Sequence, residues 1–292
     1  MLLVVLLAFA SCSDTSGERA KRAAREPVAR TPSAEQAEPP PAAGAPLPRT
    51  APQLAERLTH TQRRLDAAID EWRASGELTR NPPPEEVTLL ALHQQRIHLL
   101  LSERRRLAAR TLELLPGRVA AHLRATLRAR RKLAPLVTPQ PLLVFRTGPA
   151  QPAGVLLRHY REAQRRFGVR WPLLAAVNFV ESAFGRMRNN SVADAQGPMQ
   201  FIQSTWEAYG MGGNVRDPRD AILGAANYLH ASGAPGDERN ALYRYNPSTL
   251  YVDAVLAYAG RIRRDPRAYF AYYSWQVFVR TPSGVRRITG PE

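Results

Sequence analysis

The 292-residue sequence predicts a mainly α-helical fold. Apolar residues recur every three or four positions over several long stretches, which is the spacing of one helix face. Strand-like alternation is confined to the tail, residues 267–292, where Trp275–Arg280 and Val285–Ile288 flank a turn and predict a small β-hairpin. The single cysteine, Cys12, excludes an intramolecular disulfide and argues against a cysteine-ligated zinc site. The length suffices for one good-sized core plus a smaller subdomain or tail.

Residues 1–12 have the features of an export signal. Met1–Ala10 is an unbroken apolar run, too short to span a bilayer and of the length of a signal-peptide core. The small residues before Cys12 resemble the lipobox of bacterial lipoproteins, in which the cysteine is lipidated. Phe9 stands where a smaller aliphatic residue is usual, and no Lys or Arg precedes the run, so the alternative is an ordinary secretory signal. In both cases we expect an exported protein of the cell envelope, and lipidation at Cys12 would anchor it to the outer face of a membrane.

Four segments lie between the signal and the tail. Residues 13–52 are rich in Pro and Ala and almost devoid of large apolar residues, which predicts a disordered tether. Residues 53–135 predict a helical-hairpin subdomain of two or three antiparallel helices, and residues 136–153 an extended connector to a helical domain at residues 154–266. The apolar stripes of the three N-terminal helices are Leu54, Leu58, Leu65, Ile69 and Trp72; Val87, Leu90, Ile97, Leu101, Ala108 and Leu112; and Val119, Leu123 and Leu127.

The net charge of +16 predicts an anionic partner, which is a nucleic acid, a membrane surface or an acidic polymer. The basic run Arg128–Lys132 could contact nucleic acid, but export argues against it and charge runs usually form solvated helix faces, so we predict no nucleic-acid partner. His93 and His98 are five positions apart and do not share a helix face, and no HExxH occurs, so no metal site is predicted. Neither a P-loop nor GxGxxG is present, and no cofactor is predicted.

One carboxylate lies at the end of an apolar helical run. Glu181 follows Leu173, Leu174, Val177 and Val180, where an ionised side chain would lose its hydration. Such a group tends to stay protonated near neutral pH, which suits a general acid. Glu181 is therefore the candidate catalytic residue.

Four motifs around Glu181 carry a family resemblance. They are Glu181–Gly185 (ESAFG), Ala195–Trp206 (AQGPMQFIQSTW), Asn214–Leu229 (NVRDPRDAILGAANYL) and Leu242–Ala259 (LYRYNPSTLYVDAVLAYA). In this order they resemble the lytic transglycosylase domain of the goose-type-lysozyme superfamily, which includes soluble and membrane-bound lytic murein transglycosylases. The resemblance implies a lysozyme-like helical catalytic domain that acts on peptidoglycan without a metal or cofactor.

The resemblance also implies a mechanism and a substrate site. Glu181 would protonate the glycosidic oxygen of the MurNAc–GlcNAc β-1,4 bond and then deprotonate the C6 hydroxyl, which closes a 1,6-anhydro ring. Ser191 would orient this acid, whereas Gln200 and Tyr245 would bond to it or to an N-acetyl group. Gly197 would let the backbone approach the saccharide. The substrate-binding residues implied are Ser182, Ser191, Gly197, Met199, Gln200, Tyr245 and Asn246.

Three other functions remain alternatives. A hydrolytic muramidase usually needs a second carboxylate, and the acids nearest in sequence are Glu162 and Asp194, neither in a context that marks it as a partner. A non-catalytic wall-binding protein would use Glu181 only structurally. An adaptor would act through the N-terminal helices.

Overall fold

The computed structural model describes residues 38–291. Within this range the chain forms helices joined by short loops and ends in one two-stranded antiparallel sheet. The helices are α1 (Ala51–Ala74), α2 (Glu85–Glu103), α3 (Arg105–Leu114), α4 (Gly117–Leu133), α5 (Ala153–Phe167), α6 (Trp171–Ser182), α7 (Gln203–Tyr209), α8 (Pro218–Ala231), α9 (Glu238–Tyr245), α10 (Thr249–Arg264) and α11 (Arg267–Ser274), and the strands are β1 (Phe278–Thr281) and β2 (Gly284–Arg287). The predicted mainly α fold with a C-terminal hairpin is confirmed.

Residues 38–50 depart from the tether predicted for residues 13–52. Arg96 of α2 donates hydrogen bonds to the carbonyl oxygens of Ala43 and Ala45, and Ala43 packs with Leu89 and Leu92 in a small apolar cluster. The backbone carbonyls of this segment thus find partners on α2, which composition alone does not predict. The predicted signal, Cys12 and the rest of the tether lie outside the described residues. No helix between residues 38 and 291 has the length and apolarity needed to cross a membrane.

The second predicted helix is divided at Arg104. Its backbone angles of φ −96° and ψ 78° are not helical, and they separate α2 from α3. The break turns α3 back along α1, so that Ala108 joins Leu54 and Leu58 in one apolar cluster. The sequence carries no Gly or Pro here, and tertiary packing therefore overrides the continuous helical pattern.

The N-terminal helices share one core with the helices that follow. Trp72 of α1, Leu90 of α2 and Leu133 of α4 are buried in the same cluster as residues of α5 to α11. The structure therefore shows no boundary in packing near residue 135, although the sequence predicts a separate subdomain there. A chain without these helices would expose apolar surface of the rest of the protein.

Helix α6 lies at the centre of this core. Pro172 fits its first turn, where a missing amide hydrogen removes no helical bond, and Leu173, Leu174 and Val177 are all buried. A helix that is apolar on every side is surrounded by others, and α5, α8, α10 and α11 contact it. The hairpin pairs Phe278 with Arg287 and packs Val277 and Val279 beside the segment that follows α6.

Candidate active site

Glu181 occupies the last turn of α6 and is only 2% exposed. The hydroxyl of Tyr251, in the first turn of α10, donates a hydrogen bond of 2.7 Å to Oε1. The second oxygen, Oε2, has no hydrogen-bond partner among the described residues. Burial raises the pKa of Glu181 to about 8, and the hydrogen bond from Tyr251 opposes this shift without cancelling it. The carboxyl group is therefore protonated at neutral pH, with one oxygen engaged and the other available.

The chain leaves α6 through an unusual turn. Ala183, Phe184 and Gly185 all have positive φ, of 50°, 62° and 82°, although only the last is a glycine. Left-handed conformations at non-glycine residues store strain that the surrounding structure must hold in place. Ser182 helps to hold it, because its Oγ donates to the carbonyl of Pro198 at 2.5 Å and accepts from the amide of Gly185 at 2.8 Å.

The buried position of Ser182 corrects the prediction that this residue contacts the substrate. The side chain is fully buried and all of its hydrogen bonds are made within the protein. The side chain thus caps backbone groups at the end of α6 and does not line the groove over Glu181. It ties the end of α6 to the segment containing Gly197 and Gln200.

A groove of about 470 Å³ opens over Glu181. Its walls come from the start of the connector, the loop before α7 and the turn between α9 and α10. The predicted site residues that line it are Glu181, Ser191, Gln200, Tyr245 and Asn246. A larger hollow of about 890 Å³ lies between residues 46–48 and α1, far from Glu181 in the sequence. It holds no buried carboxylate, so the volume of a cavity alone does not indicate the active site.

Ser191 and Gln200 stabilise the loop along the groove. Ser191 Oγ accepts hydrogen bonds from the amides of Ala193 and Ala195, at 3.1 and 3.0 Å. Gln200 Nε2 donates to the carbonyls of Asn189 and Gly197, while its Oε1 has no partner among the described residues. Neither side chain bonds directly to Glu181. The resemblance implied that Ser191 orients this acid and that Gln200 bonds to it or to an N-acetyl group, so for Gln200 the second alternative remains. The hydroxyl hydrogen of Ser191 and Oε1 of Gln200 remain available to a ligand in the groove.

Gly197 and Met199 serve the protein backbone and do not line the groove. A Cβ atom on Gly197 would lie 1.9 Å from the carbonyl oxygen of Val215, and its φ of 72° also favours glycine. The close approach required here is thus between two protein segments, whereas the sequence predicted one between backbone and saccharide. Met199 is fully buried, and its carbonyl oxygen accepts a 2.6 Å hydrogen bond from the hydroxyl of Tyr245.

The tyrosine that reaches Glu181 is Tyr251, not Tyr245. The resemblance implied that Tyr245 would bond to Glu181 or to an N-acetyl group, but Tyr245, which lines the groove, donates its hydroxyl to the carbonyl oxygen of Met199. Tyr251 lies three residues after Ser248, whose side chain accepts the amide hydrogen of Tyr251 and caps α10. Its place as the first residue of the YVDAVLAYA motif was the available signal.

Two comparisons with known proteins find a match to this chain. Residues 158–265 match the model of the transglycosylase SLT domain. A stretch of 74 residues is 35% identical to membrane-bound lytic murein transglycosylase F of Thiobacillus denitrificans (strain ATCC 25259 / T1), and it covers 25% of this chain and 15% of that protein. No solved structure matches the chain.

Residues 158–265 form a transglycosylase SLT domain. The family recognised in the sequence is thereby confirmed for this segment, and the two matches support a lytic transglycosylase of lysozyme-like fold. The domain contains α6 to α10 and hence both Glu181 and Tyr251. The chain spans only a small part of the length of its matched relative, and helices α1 to α4 lie outside the matched domain.

The SLT groove offers no second acid beside Glu181. Among the described residues that line it, Glu181 is the one acidic side chain. Asp194 is exposed and accepts a hydrogen bond from Asn190 at 2.7 Å, whereas Glu162 forms an ion pair with Arg219 on the surface. Neither of the two acids weighed from the sequence therefore faces the groove.

Proposed function

We propose that this chain is a peptidoglycan lytic transglycosylase that cleaves the MurNAc–GlcNAc β-1,4 bond and forms 1,6-anhydro-MurNAc. The observation that carries the proposal is a protonated, buried Glu181 that stands alone in its groove. Hydrolysis by paired carboxylates needs a second acid as nucleophile or base, within roughly 5–10 Å of the first. A reaction in which the substrate's own hydroxyl attacks needs no such partner.

In the first step Glu181 acts as general acid. Because Tyr251 donates to Oε1, that oxygen is held as an acceptor and the proton resides on Oε2. The proton passes from Oε2 to the glycosidic oxygen, the bond to C1 of MurNAc breaks, and the GlcNAc side leaves as an alcohol. Positive charge develops at C1, where the N-acetyl oxygen of the substrate can stabilise it. Oε1 of Gln200, which lacks a protein partner, is an acceptor for an N-acetyl N–H.

In the second step the same residue acts as base. The Glu181 carboxylate takes the proton of the C6 hydroxyl, and that oxygen bonds to C1 to close the anhydro ring. The hydrogen bond from Tyr251 favours the carboxylate in this interval, because it lowers the pKa that burial has raised. Glu181 ends the cycle protonated, and no water is consumed.

Product analysis tests this proposal. Purified peptidoglycan is digested and the soluble fragments are separated and weighed by mass spectrometry, where anhydro products are lighter by one water than reducing-end products. We expect anhydro products from the native chain and none from Glu181→Gln. The matched control is Glu162→Gln, the same change at an acid paired on the surface, which should leave the digestion intact.

Two outcomes would contradict the mechanism. Reducing-end products from the native chain would indicate a hydrolytic muramidase. If Asp194→Asn then lost these products, Asp194 would be the acid that positions the attacking water. Unchanged digestion by Glu181→Gln would show that this glutamate is structural only.

We also propose export and anchoring at the cell envelope through Cys12. The support is the apolar run Met1–Ala10 before that cysteine, together with a relative whose name describes it as membrane-bound. Metabolic labelling with a radioactive fatty acid should mark the native chain but not Cys12→Ser. Equal labelling of both would rule out lipidation at this position.

A further inference from the structure

A second hollow lies at the other end of α10 from the groove. It measures about 520 Å³ and is bounded by α1, α4 and the turn between α10 and α11. Arginines from all of these elements converge on it. They are Arg73, Arg118, Arg261, Arg264 and Arg267. Only two acids, Asp70 and Asp265, share the lining.

The two aspartates are shared among several arginines. Asp265 accepts from Arg267 at 3.0 Å and from Arg261 at 3.1 Å, and Arg118 lies 3.5 Å away. Asp70 forms ion pairs with Arg73, at 2.9 Å from Oδ1, and with Arg267, at 3.2 Å from Oδ2. Arg118 also donates to Asp66 at 2.6 Å, so three carboxylates face five arginines. A guanidinium carries five N–H donors, so this set still leaves both positive charge and donors in excess.

Two guanidinium groups have unused donors. Arg261 is 6% exposed, and its Nε is buried without a hydrogen-bond partner among the described residues. Arg264 is exposed to solvent at the edge of the hollow and makes no side-chain hydrogen bond or ion pair with any residue between 38 and 291. A buried N–H without an acceptor is unfavourable, and an oxygen ligand at Nε of Arg261 would relieve that cost.

We propose that this hollow binds a phosphate group. The forked donors of arginine match phosphate oxygens, and a doubly charged phosphate balances the excess of arginines better than a single carboxylate does. The attraction of a helix C-terminus for cations explains arginines at the end of α10, such as Arg261 and Arg264. It also explains Arg73 in the last turn of α1, but it does not explain why Arg118, in the first turn of α4, faces the same space.

The hollow is separate from the SLT groove. Tyr251 is in the first turn of α10 and Arg264 ends it, so the rise of an α-helix places them about 20 Å apart. Phosphate binding therefore does not depend on Glu181, and the proposal stands independently of the transglycosylase activity.

Calorimetric titration of the full-length protein with pyrophosphate tests this site. We expect saturable one-site binding that Arg264→Ala weakens about fivefold to tenfold, because one charge-assisted contact is lost. The matched control is Arg263→Ala, which removes the neighbouring exposed arginine that does not line the hollow and should change the affinity less than twofold. Glu181→Gln should bind as the native chain does.

The source of the phosphate can be read from competition. Displacement of pyrophosphate by glycerol 3-phosphate alone supports a soluble ligand, and displacement by phosphatidylglycerol vesicles supports a lipid headgroup. Absence of saturable binding would overturn the proposal. Equal weakening by Arg263→Ala and Arg264→Ala would also overturn it, because the effect would then come from diffuse charge. Unchanged helical circular dichroism and melting temperature of Arg264→Ala verify that its fold is intact.

Discussion

Glu181→Gln should change the pH dependence of stability in a way that only a raised pKa explains. In the folded chain burial raises the pKa of Glu181 from 4.5 to about 8. Between these two values the unfolded chain has released the proton and the folded chain has kept it. The unfolding free energy of the native protein therefore falls as pH rises through this window, and the contribution becomes flat above pH 8.

The size of the effect follows from the span of the window. Each pH unit between the two pKa values contributes about 1.4 kcal/mol, so from pH 4.5 to pH 7 the native chain should lose about 3 kcal/mol relative to Glu181→Gln. Glutamine keeps the side-chain shape and an oxygen that can accept from Tyr251, but it does not titrate. Because every other titrating group is common to both proteins, their contributions cancel in the difference.

Urea unfolding followed by the circular dichroism of the helices measures this difference. Both proteins are unfolded at several pH values from 4.5 to 9, and the difference in unfolding free energy is plotted against pH. We expect this difference to change steadily between pH 5 and 8 and to stay constant above pH 8. A difference that stays constant over this range would show that Glu181 ionises at its ordinary pKa, and the general-acid role would lose its physical basis.

Four further substitutions separate catalytic from structural contacts. Tyr251→Phe removes the bond that lowers the pKa of Glu181, so kcat should fall about tenfold to a hundredfold and the alkaline limb of the pH–rate profile should move above 8. Tyr245→Phe should instead lower the unfolding free energy by about 1 kcal/mol and leave that limb in place, because its hydroxyl serves a backbone carbonyl. A shift of the limb in Tyr245→Phe alone would reverse the two assignments. Gly197→Ala should destabilise by more than about 2 kcal/mol in urea unfolding, because its Cβ would overlap a facing carbonyl oxygen. Gly212→Ala has a similar φ of 75° but open space around it, and should cost only about 1–2 kcal/mol.

Features set by local sequence were predictable. Gly168 ends α5 with φ 73° as expected for a left-handed C-terminal residue, and Pro172 lies in the first turn of α6. The buried carboxylate was predictable for the same reason, since the apolar residues before Glu181 are its neighbours along one helix. These features depend on residues close in sequence, and a single chain is enough to reveal them.

Features set by contact between distant segments were not predictable. The break at Arg104 depends on how α3 packs on α1, and the packing of residues 38–50 depends on Arg96 reaching their carbonyl groups. The sequence indicates that Gly197 is a position of close approach, but it does not reveal that the approaching atom belongs to Val215. Periodicity indicates which face of a helix is buried, whereas it does not indicate what lies against that face.

The choice between Tyr245 and Tyr251 illustrates the same limit and explains how one residue can serve as both acid and base. A general acid needs a pKa above the working pH so that it holds a proton to donate. After donation it must exist as a carboxylate, so the free-energy cost of ionising the buried group must not be too large. Burial alone would leave Glu181 protonated too firmly to give up its proton, and several hydrogen bonds would return its pKa to the range of an exposed glutamate. A single donor, Tyr251, opposes burial without cancelling it, which places the pKa at about 8. This balance depends on the crossing of α10 over α6, so it is a property of the fold that neither helix carries alone.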